Sequence, residues 1–134
     1  YSDTTRTFVV GEPSEEQSEV HSVVAAAQAR GRETARPGVT AESVDAATRS
    51  VIEDAGYGEY FIHRTGHGIG LEGHEHPYLV AGNDLVLEPG MAFSIEPGIY
   101  LPDRFGIRIE DICVLDESGL TELNSSERAL VSVG

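Results

Sequence analysis

Met91-Ala92-Phe93-Ser94-Ile95-Glu96-Pro97-Gly98-Ile99-Tyr100-Leu101, followed shortly by Gly106-Ile107-Arg108-Ile109-Glu110-Asp111-Ile112-Cys113-Val114-Leu115, decides the fold. Short apolar runs broken by Gly and Pro read as strands joined by tight connections. Met91 to Ile95, Ile99 to Leu101, Ile107 to Leu115, Leu120 to Leu123 and Leu85-Val86-Leu87 are the predicted strands of an antiparallel sheet. Glu88-Pro89-Gly90 reads as a plain turn, whereas Glu96-Pro97-Gly98 closes a strand on an acidic residue. Side chains alternate faces along a strand, so Arg108 and Glu110 project together, opposite Ile107, Ile109, Asp111 and Cys113.

Upstream the texture is helical. Val20, Val23, Val24 and Ala27 form a core-facing stripe in a helix that starts near Pro13-Ser14 and ends before Arg36-Pro37-Gly38. Thr40 is the expected N-cap of a second helix, with Val44, Ala47, Val51 and Ala55 inward and Gly56 as its stop. Two helices followed by a meander of strands is an α+β layout. Thr5-Arg6-Thr7-Phe8-Val9-Val10 reads as a first strand with Asp3 already inside it. Tyr1 is not an initiator methionine and that strand lacks a local partner, so residues 1–134 are expected to be the C-terminal part of a longer polypeptide.

Composition narrows the partners. The 134 residues carry 9 basic and 23 acidic side chains, a net charge of -14, which argues against nucleic acid or an anionic membrane. No apolar run is long enough to span a bilayer. The acidic stretch Glu12 to Glu19 suits a solvated helix N-terminus. The single Cys113 excludes an internal disulfide, fits a reducing cytoplasm and reads as a buried strand thiol. His21, alone in the first helix, reads as structural.

Four other residues carry the chemistry. Asp3, His67, Glu96 and Glu110 sit in separate local motifs, and one imidazole among three carboxylates suits a divalent ion in Lewis-acid chemistry better than a thiolate zinc site. His67 lies in Phe61-Ile62-His63-Arg64-Thr65-Gly66-His67-Gly68-Ile69-Gly70-Leu71-Glu72-Gly73-His74-Glu75-His76-Pro77, where the glycines allow close backbone approach around it.

Together, Ser2-Asp3-Thr4-Thr5-Arg6-Thr7, the His63 to Pro77 segment, Ile95-Glu96-Pro97-Gly98-Ile99-Tyr100 and Gly106-Ile107-Arg108-Ile109-Glu110-Asp111 resemble the proline-specific branch of the pita-bread metallopeptidases. That branch holds Xaa-Pro aminopeptidases and Xaa-Pro dipeptidases, and the resemblance runs from Ser2 to about Val114. It implies a partial pita-bread fold, two helices on a curved antiparallel sheet, spanning residues 1–134. It implies Asp3, His67, Glu96 and Glu110 as metal ligands, with His63 and His74 acting on the substrate and Arg108 and Tyr100 lining the pocket. Two divalent cations, Mn or Co, would occupy the complete site, where they activate water and polarise the scissile carbonyl. One aspartate ligand of the family has no counterpart here, so this chain is expected to hold at most one ion. The expected substrate is a proline-containing peptide, and the expected assembly of the full-length protein is a homo-oligomer. Another metal-dependent C–N hydrolase of the same fold, and a binding module without catalysis, are the alternatives; retention of all four ligands speaks against the second.

Overall fold

The computed structural model describes residues 1–134, with nine short strands and two helices. Helix α1 (Glu15–Thr34) starts on a capping box: Ser14 accepts from the Gln17 amide while Gln17 reaches back to the Ser14 amide. Val20, Val24 and Ala27 are buried on its inner face, with Val23 half-buried, as the sequence pattern predicts. Helix α2 (Ala41–Asp54) is capped by Thr40, whose hydroxyl accepts from the Ser43 amide. Its buried face is Ala41, Val44, Asp45, Thr48 and Ile52; of the expected Val44, Ala47, Val51 and Ala55, only Val44 is buried, Ala47 and Val51 are half-buried and Ala55 is exposed. The helix is rotated so that two polar residues point inward, where Asp45 finds partners in the segment that follows.

The strands are β1 (Phe8–Val10), β2 (Gly66–Gly68), β3 (Glu75–Leu79), β4 (Ala92–Ile95), β5 (Gly98–Leu101), β6 (Phe105–Arg108), β7 (Asp111–Asp116), β8 (Gly119–Glu122) and β9 (Val131–Val133). A five-stranded antiparallel sheet has the order β3-β2-β4-β7-β8, and β5 and β6 form a separate antiparallel ribbon. One core layer joins Val20, Val24, Ala27 and Ile52 of the helices to Ile99, Leu101, Ile107 and Ile109. A second joins Ala41 and Val44 to Leu79, Phe93, Ile95, Cys113 and Leu115 of the sheet.

Four expectations need correction. The first strand is only Phe8–Val10, leaving Asp3 outside it, and it does have a partner within the chain: β9, in parallel register from Phe8 opposite Val131 to Val10 opposite Val133. Leu85-Val86-Leu87 is not a sheet strand. Its backbone instead pairs with residues at the start of α2, through Gly38 to Leu87, Leu87 to Val39 and Ala41 to Leu85. The glycine-rich histidine segment, which is not among the predicted strands, contributes β2 and β3. And the long strand from Ile107 to Leu115 is broken at Ile109-Glu110.

That last break faces the break at Glu96-Pro97 in the neighbouring chain segment. Below it, Ile95 pairs with Asp111; above it, Gly98 pairs with Arg108. Between the two, Ile109 N donates to Pro97 O, and Glu110 exchanges both backbone hydrogen bonds with Thr5, 3.1 and 3.3 Å. Sheet and ribbon therefore part company at one level, and both glutamates sit at that level.

Candidate metal centre

His67 is nearly buried at the centre of β2. The backbone around it tolerates only glycine: a Cβ on Gly66 would lie 1.9 Å from Ser94 O, and one on Gly68 would lie 2.2 Å from His76 O. His67 N donates to Ser94 Oγ at 3.0 Å, and Ser94 Oγ donates in turn to Glu96 Oε1 at 2.8 Å. The His67 Nδ1 is 3.0 Å from Gly68 O. A carbonyl only accepts, so Nδ1 carries a proton and Nε2 is the nitrogen turned into the cluster. That nitrogen lies 3.1 Å from Glu96 Oε1 and 3.5 Å from Asp3 Oδ2. An imidazole nitrogen turned toward two carboxylates is an arrangement that a cation between them would stabilise.

Glu110 completes the cluster. One ligand atom each from His67, Glu96 and Glu110 lie within 4.8 Å of one another, as do atoms from Asp3, His67 and His74. Burial, with the Glu96 and Asp3 charges added, raises the Glu110 carboxyl to about 7, against the opposing hydrogen bond from Thr5 and the charge of Arg108. Such a carboxyl resists ionisation until positive charge arrives. Oxygen-rich donors with one imidazole, crowded and short of compensating cations, fit a divalent ion.

The remaining expected residues surround the same space. His63, Arg64, His67, His74, Val80, Glu96 and Arg108 line a cavity of about 520 Å³. His63 Nδ1 is 2.8 Å from Arg64 O, so it donates there and leaves Nε2 to accept from the Tyr100 hydroxyl at 2.7 Å. Burial raises the Tyr100 phenol, with Arg108 opposing. Arg108 is held charged: Tyr100, Glu110 and Glu96 outweigh the effect of burial and raise its value. It forms no direct ion pair with Glu110; its Nε instead donates to Thr5 Oγ1 at 3.2 Å, and the same hydroxyl donates to Glu110 Oε2. His74 is exposed and stacks on His67, ring centroids 4.1 Å apart. All eight sequence-derived residues thus meet at one place.

Several residues of this centre escaped sequence reading. Thr5, Ser94, Arg6 and Asp111 each lie within three residues of a candidate ligand in sequence; Thr5 and Ser94 bond the carboxylates of Glu110 and Glu96, while Arg6 and Asp111 pair behind them. Asp111 is fully buried and takes Arg6 Nη2 at 2.6 Å, Arg128 Nε at 2.6 Å and Gln28 Nε2 at 2.9 Å. Arg6 also donates to the Glu110 and Thr5 carbonyls, each at 2.8 Å, so it ties the Asp3 segment to Glu110. The signal was present: an aspartate on the otherwise apolar face with Ile107, Ile109 and Cys113 needs a cationic partner. Cys113 itself is inert, its thiol pushed up to about 12 by burial and by Asp111. His21 is buried on α1, where burial lowers its value.

Comparison with known proteins agrees with this geometry. The profile for Peptidase_M24, metallopeptidase family M24, matches residues 1–117. A probable dipeptidase PepE from Mycobacterium tuberculosis is 57% identical over 133 residues, 99% of this chain and 36% of that protein. An Xaa-Pro dipeptidase from Pyrococcus furiosus is 48% identical over 130 residues, 97% of this chain and 37% of its own length. The solved recombinant prolidase from Thermococcus sibiricus superposes with a TM-score of 0.97 at 49% identity, covering 98% of this chain and 36% of that one. The chain thus spans little more than a third of the relatives it matches, and over that span it has their partial pita-bread α+β fold. The chain belongs to metallopeptidase family M24.

Proposed function

We propose that residues 1–134 form the C-terminal portion of a pita-bread catalytic domain whose longer polypeptide hydrolyses Xaa-Pro peptide bonds. The single observation that carries this reading is the convergence of Asp3, His67, Glu96 and Glu110, from separate motifs, on one oxygen-rich cluster. Both a proline-specific dipeptidase and a proline-specific aminopeptidase fit this cluster, as the relatives include prolidases and an X-Pro aminopeptidase alike.

Asp3, His67, Glu96 and Glu110 would hold the metal, Mn or Co, two ions in the complete site. When bound, the metal supplies Lewis acidity toward the scissile carbonyl and water. Ser94 and the Gly68 carbonyl fix Glu96 and His67 so that their lone pairs converge. Thr5 orients Glu110. His63, with Nε2 held against the Tyr100 hydroxyl, is placed to move a proton on the substrate side, and Arg108 keeps the phenol and carboxylates charge-balanced. Exposed His74, stacked on His67, is placed to contact the substrate. A cytoplasmic location fits the reduced, buried Cys113, and no helix is long and apolar enough to cross a membrane. Phe8 and Val10 are 59% and 87% exposed, which supports coverage of that surface by the rest of the polypeptide or by a second copy in a homo-oligomer.

The test is made on the full-length polypeptide. Loaded with Mn or Co, it should cleave peptides with proline in the second position and lose activity to a chelator, and the rates on an Xaa-Pro dipeptide and on a longer Xaa-Pro peptide separate dipeptidase from aminopeptidase. Glu110→Ala should reduce kcat/KM by about 100-fold or more, since it removes a metal ligand. Activity that survives exhaustive chelation would rule the reading out.

A further inference from the structure

One buried charge pair lies outside the metal centre and has no role in the chemistry described above. Asp45 is 1% exposed on the inner face of α2 and is held by Arg49 one turn later, Nε to Oδ2 at 3.1 Å and Nη2 to Oδ1 at 3.0 Å. Neither residue touches the cavity of the metal centre. Their remaining valences all go to one short segment. Arg49 Nη1 donates to Phe61 O at 2.9 Å and Nη2 to His63 O at 2.8 Å, with the guanidinium 4.1 Å above the Phe61 ring. Asp45 Oδ1 accepts from Thr65 N at 3.1 Å and from Thr65 Oγ1 at 2.8 Å.

We infer that the Asp45–Arg49 pair is a clamp that positions His63, gripping the backbone at residues 61, 63 and 65 from a rigid helix. This inference rests on the proposed role of His63 in turnover. The first part of the segment is otherwise irregular: residues 61–64, between the 3-10 turn Gly58–Tyr60 and β2, belong to no strand, whereas Thr65 is also tied to its neighbours, its N to Leu79 O at 3.0 Å and its carbonyl to Glu96 N at 2.8 Å. A guanidinium can serve two carbonyls and a carboxylate at once because its donors form a fixed planar fork. With the His63 carbonyl fixed and its Nδ1 on Arg64 O, Nε2 meets the Tyr100 hydroxyl at 2.7 Å. Without the fork, the imidazole keeps its chemistry and loses its place. The Arg49 arm of the clamp touches none of the metal ligands, which have anchors of their own, His67 and Glu96 through Ser94 and Glu110 through Thr5; only the Asp45 arm adjoins one, since Glu96 N donates to Thr65 O at 2.8 Å.

The experiment is a double-mutant cycle on the metal-loaded, full-length polypeptide. Arg49→Met should lower kcat about 10-fold or more, as expected for a misplaced reacting group, while Mn affinity read by electron paramagnetic resonance stays within about 2-fold. In a His63→Asn background the same substitution should cost less than about 2-fold more. Should Arg49→Met leave Asp45 uncompensated and unfold the protein, the pair Asp45→Asn with Arg49→Met removes both charges together and is used in its place. A loss of kcat that adds fully to that of His63→Asn, a loss that tracks Mn affinity, or no loss at all overturns the clamp. Full activity of His63→Asn alone overturns the role of His63 and the clamp with it. Absence of Xaa-Pro cleavage by the wild type is a different failure, that of the function itself.

Discussion

The Thr5 hydroxyl donates to Oε2 of Glu110 across 105 positions of sequence, and it also receives Arg108 Nε. The bond favours the ionised carboxyl, yet burial and the Glu96 and Asp3 charges win, leaving Glu110 raised to about 7. In the folded chain without metal, Glu110 therefore keeps its proton over a range where an unfolded glutamate has lost it. A raised value stabilises the fold fully below the ordinary glutamate range and loses that contribution as pH climbs through about 7. Thermal unfolding of the metal-free chain should show this decline between about pH 4.5 and 7. Added Mn should reverse it at the upper end. A metal-free transition that rises steadily across that window, once Glu110→Gln is subtracted, would contradict the assignment.

Metal stoichiometry follows from the donors present. Asp3, His67, Glu96 and Glu110 would supply one ion, with His74 adjacent, and leave no full donor set for a second. Elemental analysis of the purified 134-residue chain should give no more than one tightly held Mn or Co, and its peptidase activity should be near background. Two tight ions per chain would defeat this expectation.

Gly66→Ala should be far more damaging than Gly73→Ala. The first places a Cβ 1.9 Å from a backbone oxygen of β4, whereas the second meets nothing closer than Tyr1 at 3.7 Å. We expect a cost of about 3 kcal/mol or more for Gly66→Ala, with loss of metal binding because His67 and Ser94 are pushed apart. Gly73→Ala should unfold within about 0.5 kcal/mol of wild type in urea titrations.

Ser14→Ala should weaken the chain by about 1 kcal/mol, the usual cost of an N-cap, since the Gln17 amide loses its hydroxyl acceptor while the residue-14 amide keeps the Gln17 side chain. Hydrogen exchange should show the change first in the opening turn of α1. Unchanged protection there would mean that the cap contributes little.

The helices and the candidate ligand residues were legible because each has a local signature. Ser14 and Thr40 mark helix starts by side-chain chemistry, and the stripe Val20 to Ala27 marks a buried face by spacing. Asp3, His67, Glu96 and Glu110 sit in four short motifs, and the fold brings the four side chains together. What sequence missed is non-local. Gly66-His67-Gly68 has little strand preference of its own and is extended because β3 and β4 flank it. The pairing of β1 with β9 joins opposite ends of the chain, and no local pattern encodes it. The apolar run Leu85-Val86-Leu87 misled for the converse reason: only Leu87 is fully buried, and the backbone pairs beside a helix start. Rotation of α2 was hidden because Asp45 and Thr48 look like surface residues until their partners are known.

That the two glutamates sit where sheet and ribbon part, with Asp3 brought in by the Thr5–Glu110 pairing, has a kinetic consequence. Contacts spanning most of the chain close late, because their loop entropy is offset only once local structure exists. The centre is therefore absent from any partly folded species that lacks this closure. Metal would act on the lifetime of the finished molecule, slowing its unfolding, while leaving the rate at which it first forms nearly unchanged.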